Sequence, residues 1–172
     1  VNNSIAEISE AIDKCIADEK LGVFVLTGPQ ALGKTYIVNA LIEKYGADLI
    51  FNCSADKHMG DTFNALMLQR VHNLCQMDCY TALKNGKFAI IDNTSMEAYQ
   101  RTIYHKIATV MDAEIQTKVI AGSLWLDCTA DVREKTINLL DHRSKERAKM
   151  RGKTIERYVI ENAITKAVND KE

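Results

Sequence analysis

The sequence predicts a three-layer α/β fold built on a mainly parallel sheet of about four to five strands. Short apolar runs that suit buried strands alternate with longer segments in which apolar residues recur at helical spacing. This alternation is typical of a parallel sheet covered by helices on both faces. The chain has 172 residues, 47% of them hydrophobic, and a single proline. These values favour one domain over residues 1–172, with a core of its own.

Contiguous apolar residues predict the strands, because a parallel strand buried on both faces reads as an apolar run. The first three strands are predicted at 22–27, 48–53 and 88–91. The fourth strand is less clear, since Gly122-Ser123 separates the apolar runs 119–121 and 124–126. The sequence therefore predicts either one bent strand or two short ones in that region.

Apolar residues at helical spacing predict the helices. Serine and threonine side chains accept hydrogen bonds at helix N-termini, so Ser4, Ser95 and Thr129 are the predicted N-caps. Glycine favours helix C-termini, so Gly46 and Asn85-Gly86 are expected to end the helices before them. The predicted helices cover roughly 4–19, 36–46, 61–84, 96–110, 132–147 and 154–168.

The stretch Gly28–Thr35 fits the pattern G-x-x-x-x-G-K-[ST] at every fixed position. It follows the first predicted strand and opens a helix, which is the context that a phosphate-binding loop requires. Backbone amides and the helix N-terminus stabilise phosphates, Lys34 reaches the last two of them, and Thr35 offers its hydroxyl to Mg²⁺. The motif predicts a P-loop NTPase fold that binds a nucleoside triphosphate. The predicted nucleotide contacts are Gly28, Gln30, Ala31, Leu32, Gly33, Lys34, Thr35 and Tyr36.

Two aspartates follow predicted strands on the rim where ligands of such folds bind. Asp92 closes the third strand, where a carboxylate often lies near Mg²⁺ or its waters, although a strand-ending Asp also starts ordinary turns. Asp56 follows the second strand and is either a general base for a substrate hydroxyl or a helix cap. Lys57 and His58 either hold an anionic acceptor or belong to the solvated surface.

The C-terminal part concentrates positive charge, and one interpretation is a lid at roughly 141–157 that closes over the nucleotide. Phosphoryl transfer normally needs a second cation beside the loop lysine. Arg143, Arg147 and Arg151 are the candidates. The alternative is a solvent-exposed helical face, where clustered charged residues usually lie.

Net charge, hydropathy and cysteine content limit the kinds of protein that this chain can be. The net charge is −1, so any nucleic-acid surface must be local. No apolar run approaches the roughly 20 residues of a membrane span, which predicts a soluble cytoplasmic protein, in the host cytoplasm if it is phage-encoded. Five scattered cysteines indicate a reducing compartment. His72, Cys75 and Cys79 share a helical face and could ligate zinc, but core packing is favoured because no paired C-x-x-C is present.

Four stretches occur in a telling order along the chain: Gly28–Thr35, Asn52–Asp56, Phe63-Asn64 with His72 and Cys75, and Ile90–Thr94. Together they resemble the polynucleotide kinase-like P-loop kinases, including phage nucleic-acid kinases such as those acting on 5-hydroxymethyluracil in DNA. The resemblance implies an ATP-dependent, Mg²⁺-requiring kinase with nucleic acid as the acceptor. It implies that Asp56 is the general base, that Asp92, Asn93 and Thr94 help to hold the acceptor, and that one lid arginine assists transfer.

Departures from that family leave the acceptor open. Ser95 stands where the family usually has Asn, and Lys57 and His58 stand where some members carry an arginine shortly after the base. The leading expectation is a polynucleotide 5′-hydroxyl. The alternatives are the hydroxymethyl group of 5-hydroxymethyluracil in phage DNA, a nucleoside or small metabolite, and a nucleotide-dependent binding module in which Asp56 is only a cap.

Overall fold

A parallel four-stranded sheet forms the centre of the computed structural model, which describes residues 2–59, 64–151 and 155–170, without the side chains at 150 and 151. The strands are β1 Gly22–Thr27, β2 Ile50–Cys53, β3 Phe88–Ile91 and β4 Glu114–Val119. They lie in the order β2-β3-β1-β4, so β1 is interior and pairs with β3 and β4.

Seven helices surround the sheet in the described part of the chain. They are α1 Asn2–Ala17, α2 Lys34–Tyr45, α3 Ala55–Met59, α4 Leu68–Lys84, α5 Ala98–Val110, α6 Ala130–Arg151 and α7 Arg157–Asn169. A short 3₁₀ turn precedes α4 at Ala65–Met67, and another precedes α6 at Gly122–Leu124. No described helix is both long enough and apolar enough to cross a membrane.

Each face of the sheet has its own apolar core, because successive side chains of a strand point to opposite faces. Phe24 and Leu26 of β1 face a core shared with α1, α2, α6 and α7. Val23 and Val25 face the other core, shared with α4 and α5. All six residues of β1 are buried, which explains why its sequence is a continuous apolar run. The three predicted layers are therefore observed.

The prediction for the fourth strand is wrong. β4 ends at Val119, where the first predicted run begins, and Gly122–Leu124 is a 3₁₀ turn. β4 is an edge strand whose residues are exposed or half-buried and mostly polar, so no apolar run marks it. Trp125 is fully buried outside any strand, and its indole nitrogen donates to the carbonyl of Ile120 at 2.9 Å.

Two of the predicted helix caps are also wrong, because neither serine stands at the start of its helix, and both are buried. Ser4 lies inside α1, which begins at Asn2. Ser95 has a positive φ of 46° and precedes α5 by three residues; the N-cap of α5 is Glu97, which forms a capping box with Gln100. Thr129 is confirmed as a cap, since its hydroxyl accepts from the nitrogen of Val132 at 3.4 Å.

The predicted C-terminal ends of α2 and α4 are confirmed, whereas other helix boundaries differ from prediction. Gly46 has φ 88° and follows α2, and Asn85 caps the end of α4. The predicted helix 61–84 begins only at 68 as an α-helix, and residues 61–63 lie outside the described part. α6 is longer than predicted at both ends, and the predicted start of α7 at 154 falls in the undescribed stretch 152–154.

Candidate active site

The loop between β1 and α2 has the shape that its motif predicts. Gly33 has φ 99° and Ala31 has φ 61°, so the loop uses the left-handed region twice within three residues. At Gly28 an added Cβ would lie 2.8 Å from the side chain of Leu32, which is buried beneath the loop. The loop therefore packs against the side chain of Leu32, and the N-terminus of α2 lies at the end of the loop.

Lys34 is folded back onto the loop. Its Nζ donates to the carbonyls of Gly28 at 2.7 Å and Pro29 at 2.8 Å, and the side chain is buried. Burial lowers the pKa of this ammonium to about 8, Asp92 and Asp56 act in the opposite direction, and Arg147 lowers the pKa further. Lys34 thus lies within the electrostatic reach of two predicted carboxylates and one predicted lid arginine.

Thr35 and Asp92 meet across the gap between α2 and β3. The hydroxyl of Thr35 donates to Oδ2 of Asp92 at 2.7 Å. Burial raises the pKa of Asp92, while the Thr35 hydroxyl and the charge of Lys34 oppose the rise. A hydroxyl and a carboxylate are hard oxygen donors, so this pair fits a magnesium ion that also contacts phosphate oxygens.

Asn93 ties the segment that carries Asp56 to the end of β3. Its Oδ1 accepts from the backbone nitrogen of Ala55 at 2.9 Å, at the start of α3. Its Nδ2 points to the sulfur of Cys75 at 3.2 Å and the hydroxyl of Tyr104 at 3.3 Å. Both ends of the carboxamide therefore have partners within the protein, and Asp56, next to Ala55, has an exposed side chain.

The three other residues predicted to bind the acceptor also have contacts within the protein. The ammonium of Lys57 donates to the carbonyl of Asn52 at 3.0 Å and lies over the ring of Phe51. His58 contacts Oδ2 of Asp78 in α4 at 2.6 Å. Thr94 accepts at its backbone carbonyl from the nitrogen of Gly28 at 3.0 Å, which joins the loop after β3 to the phosphate-binding loop.

The three candidate arginines are spaced along the C-terminal half of α6. Arg147 is half-buried, and its charge acts on Lys34. Arg143 is exposed one helical turn before it. Arg151 ends the helix, and its side chain lies outside the described part of the chain. Of the two described side chains, Arg147 is the one shown to act on the loop lysine.

Sequence analysis missed the residues that support the site from behind. One nitrogen of the Arg101 guanidinium donates to the carbonyls of Ser95 and Met96, both at 2.8 Å, and holds the turn after β3. Cys75 and Tyr104 hold Asn93. Cys75 is a buried core thiol, as predicted, and the described residues contain no cluster of three or more His, Cys, Asp or Glu side chains suited to a metal. No local sequence pattern marks such supporting contacts.

Comparisons with known proteins identify the fold. No protein-family model and no curated protein matches the chain. It is similar to a chain of the Pnkp1/Rnl/Hen1 RNA repair complex, with a TM-score of 0.68 and 21% identity over 88% of its length. It is also similar to a mutant of the Mycobacterium tuberculosis APS kinase CysC, with a TM-score of 0.50 and 12% identity over 70% of this chain and 96% of that chain.

The chain spans less than half of the first of these relatives. It covers 45% of the repair-complex chain, and 35% of the chain in a second structure of the Pnkp1/Rnl/Hen1 complex, which it matches with a TM-score of 0.50 and 19% identity. At these identities the likeness concerns the α/β fold itself.

Proposed function

We propose that this chain is a P-loop kinase that transfers the γ-phosphate of ATP to a hydroxyl on nucleic acid, with a polynucleotide 5′-hydroxyl as the leading acceptor. The observation that carries the proposal is the surroundings of Lys34. Its ammonium lies at the loop, under the influence of Asp92, Asp56 and Arg147, which are the residue types that phosphoryl transfer requires.

The phosphates of ATP would bind along the loop and at the N-terminus of α2. Lys34 would exchange its two carbonyl partners for oxygens of the last two phosphates, as a loop lysine does. Thr35 and Asp92 would hold Mg²⁺, which neutralises charge on the transferring group when it is bound. The backbone amides of the loop supply further donors to the phosphate oxygens.

Asp56 would act as the general base. The acceptor oxygen attacks the γ-phosphorus in line, its proton passes to the Asp56 carboxylate, and the bond from the γ-phosphorus to the bridging oxygen breaks to release ADP. Arg147 would stabilise the charge on the transferring group, as the lid arginine. Asp56 and Asp92 both raise the pKa of the same ammonium, which supports one shared site for the base and the metal.

Two observations support a nucleic-acid acceptor. The motif succession resembles polynucleotide kinase-like proteins, and the structure is similar over 88% of its length to a chain of an RNA repair complex. One observation favours a small-molecule acceptor as the second candidate, namely the likeness to an APS kinase, of which this chain covers 96%. 5-Hydroxymethyluracil in DNA is a third acceptor compatible with the same chemistry.

Replacement of Asp56 tests the enzyme against a nucleotide-dependent binding module. In a kinase, Asp56→Asn should lower phosphoryl transfer by at least about 100-fold, within the 10²–10⁴ range of general-base catalysis, while ATP affinity changes less than twofold. Asp48→Asn, at an exposed aspartate before β2, is the matched control. Full function in Asp56→Asn would support the binding module. The predicted role of Asp56 as a helix cap is wrong, because α3 begins at Ala55 and Asp56 lies within its first turn.

A further inference from the structure

A cleft of about 230 Å³ opens beside the phosphate-binding loop, between the loop that follows β3 and the exposed face of α7. We propose that this cleft is a nucleobase-binding subsite that holds the base of the acceptor nucleotide, an inference that rests on the proposed function. The lining residues used below are Gln30, Met96, Glu97, Tyr158, Asn162, Ala163 and Lys166.

The lining suits an uncharged, planar ligand with polar edges. Met96 and Ala163 supply apolar contacts, while Gln30 and Asn162 carry carboxamides. The phenol ring of Tyr158 is 62% exposed and available for stacking, which every nucleobase can accept through its π-face. A phosphate group is a poorer fit, because no arginine is among the lining residues that the structure describes.

The two charged residues that line the cleft neutralise each other. Nζ of Lys166 lies 3.7 Å from Oε2 of Glu97, so this ion pair contributes little net charge. Glu97 is further held in the capping box of α5, where its backbone nitrogen donates to Gln100 at 3.1 Å. The interior of the cleft therefore offers hydrogen-bonding groups and apolar surface, and its described lining residues have no net positive charge that would attract an anion.

Gln30 has an unpaired hydrogen-bond acceptor that a donor group of the ligand could satisfy. Its Oε1 is buried and has no hydrogen-bond partner among the described residues. An unpaired buried carbonyl costs free energy, so a turn of this side chain toward a donor group of a ligand in the cleft would be favoured. The exocyclic amino group or a ring N–H of a nucleobase provides such a donor, and these groups differ between bases, so this contact would also select among them.

The position of Lys34 indicates which nucleotide occupies the cleft. Its ammonium lies at the carbonyls of Gly28 and Pro29, which immediately precede Gln30. Because a loop lysine binds the last two phosphates, this end of the loop faces the terminal phosphate. The acceptor approaches the terminal phosphate, whereas the base of ATP lies beyond the α-phosphate. The cleft is therefore placed for the acceptor.

The test is equilibrium binding of 2-aminopurine deoxyribonucleoside, followed by its fluorescence with ADP and Mg²⁺ present to fill the loop. Tyr158→Ala should weaken binding about tenfold, in line with the loss of one base-stacking contact. Tyr158→Phe, which keeps the ring, should bind like the wild type. Tyr99→Ala, at a 69% exposed tyrosine of α5 that does not line the cleft, is the matched control and should also bind normally.

Four results would overturn the subsite: no binding by the wild type with or without ADP, unchanged binding by Tyr158→Ala, equal weakening by Tyr99→Ala, or binding by the wild type only when ADP is left out. The last result would place the base of the donor nucleotide in the cleft, because ADP carries the same base as ATP. Binding needs no phosphoryl transfer, so the two proposals fail separately. A protein that binds the probe through Tyr158 but phosphorylates no acceptor would support the subsite and contradict the proposed kinase activity.

Discussion

The carboxamide oxygen of Asn93 accepts a hydrogen bond from the backbone nitrogen of Ala55 at 2.9 Å, although the two residues are 38 positions apart. The preceding residue, Asp92, accepts from the hydroxyl of Thr35 at 2.7 Å. One dipeptide at the end of β3 therefore fixes both the predicted metal side and the segment that carries the predicted base. The distance between Asp56 and the phosphate-binding loop therefore depends on the contacts of Asp92 and Asn93.

Removal of the Asn93 side chain should slow phosphoryl transfer without weakening ATP binding. Asn93→Ala frees the start of α3, and a displacement of the base by about 1 Å costs on the order of 100-fold in rate. We expect kcat to fall about 10- to 100-fold while KM for ATP stays within twofold. Steady-state kinetics with saturating acceptor measures both values.

A double-mutant cycle separates this positioning role from a general loss of stability. If Asn93 acts through Asp56, then Asn93→Ala should lower the rate little further in an Asp56→Asn background. Additive losses would contradict the account. Asn73→Ala, at an exposed asparagine of α4, is the control and should leave the rate unchanged.

ATP binding at mildly alkaline pH should be accompanied by proton uptake at Lys34. Burial lowers the pKa of this ammonium to about 8 in the free protein, so it is about half protonated at pH 8. Bound phosphates favour the charged form and raise the pKa again. We expect uptake of about half a proton at pH 8, measured by titration calorimetry in buffers of different ionisation enthalpy.

The uptake should fall towards zero at pH 6, where Lys34 is already protonated in the free protein. Lys44→Met, at an exposed lysine of α2, should keep the uptake at pH 8. Lys34→Met should abolish it, together with most of the affinity for ATP. The same uptake in Lys34→Met as in the wild type would assign the proton to another group.

Arg147 should contribute more to transfer than Arg143. The charge of Arg147 acts on Lys34, whereas the side chain of Arg143 is exposed one turn earlier on α6. Loss of an arginine that stabilises the transferring group can cost about 10³-fold or more. We expect Arg147→Ala to lower kcat at least tenfold more than Arg143→Ala does, in parallel assays. A larger loss in Arg143→Ala would reverse the assignment.

Asp92→Asn should stabilise the nucleotide-free protein at neutral pH while it impairs Mg²⁺-dependent activity. Burial raises the pKa of Asp92, so its ionised form is less favourable in the folded than in the unfolded state. A neutral amide removes this cost, and each kcal/mol gained raises Tm by about 2–4 °C in a chain of this size.

The gain in Tm should shrink as the pH falls, because Asp92 then becomes protonated in the folded wild type. The buried carboxylate is then neutral and no longer lowers the free energy of unfolding. Thermal unfolding of both proteins between neutral and mildly acidic pH measures the trend. A lower Tm for Asp92→Asn at neutral pH would show that the bond to Thr35 outweighs the cost of burial.

The elements that were predicted correctly carry strong local signals. β1 and β3 were located at their observed residues because each is an apolar run buried on both faces. The phosphate-binding loop was located from its glycines, lysine and threonine. β4 was missed because it owes its place to pairing along its whole length with β1, from Gly22 with Glu114 to Thr27 with Val119, and not to an apolar run of its own.

The supporting contacts of the site could not be predicted for the same reason. The partners of Asn93 lie on three different elements, so its role depends on tertiary packing that no short motif encodes. Its residue type suggested a contact with the acceptor, whereas in the structure both ends of its side chain meet protein atoms. Arg101 likewise holds the turn after β3 by contacts with backbone carbonyls, which any sequence provides.

The central claim is tested most directly by transfer of the labelled γ-phosphate of ATP, with Mg²⁺, to three acceptors in parallel. These are a 5′-hydroxyl oligonucleotide, a 5′-phosphorylated oligonucleotide with internal 5-hydroxymethyluracil, and free nucleosides, each with wild type and Asp56→Asn. We expect label on the 5′-hydroxyl oligonucleotide from the wild type alone. Label confined to the second acceptor would move the site of transfer to the base, and label on neither polymer would contradict a nucleic-acid kinase.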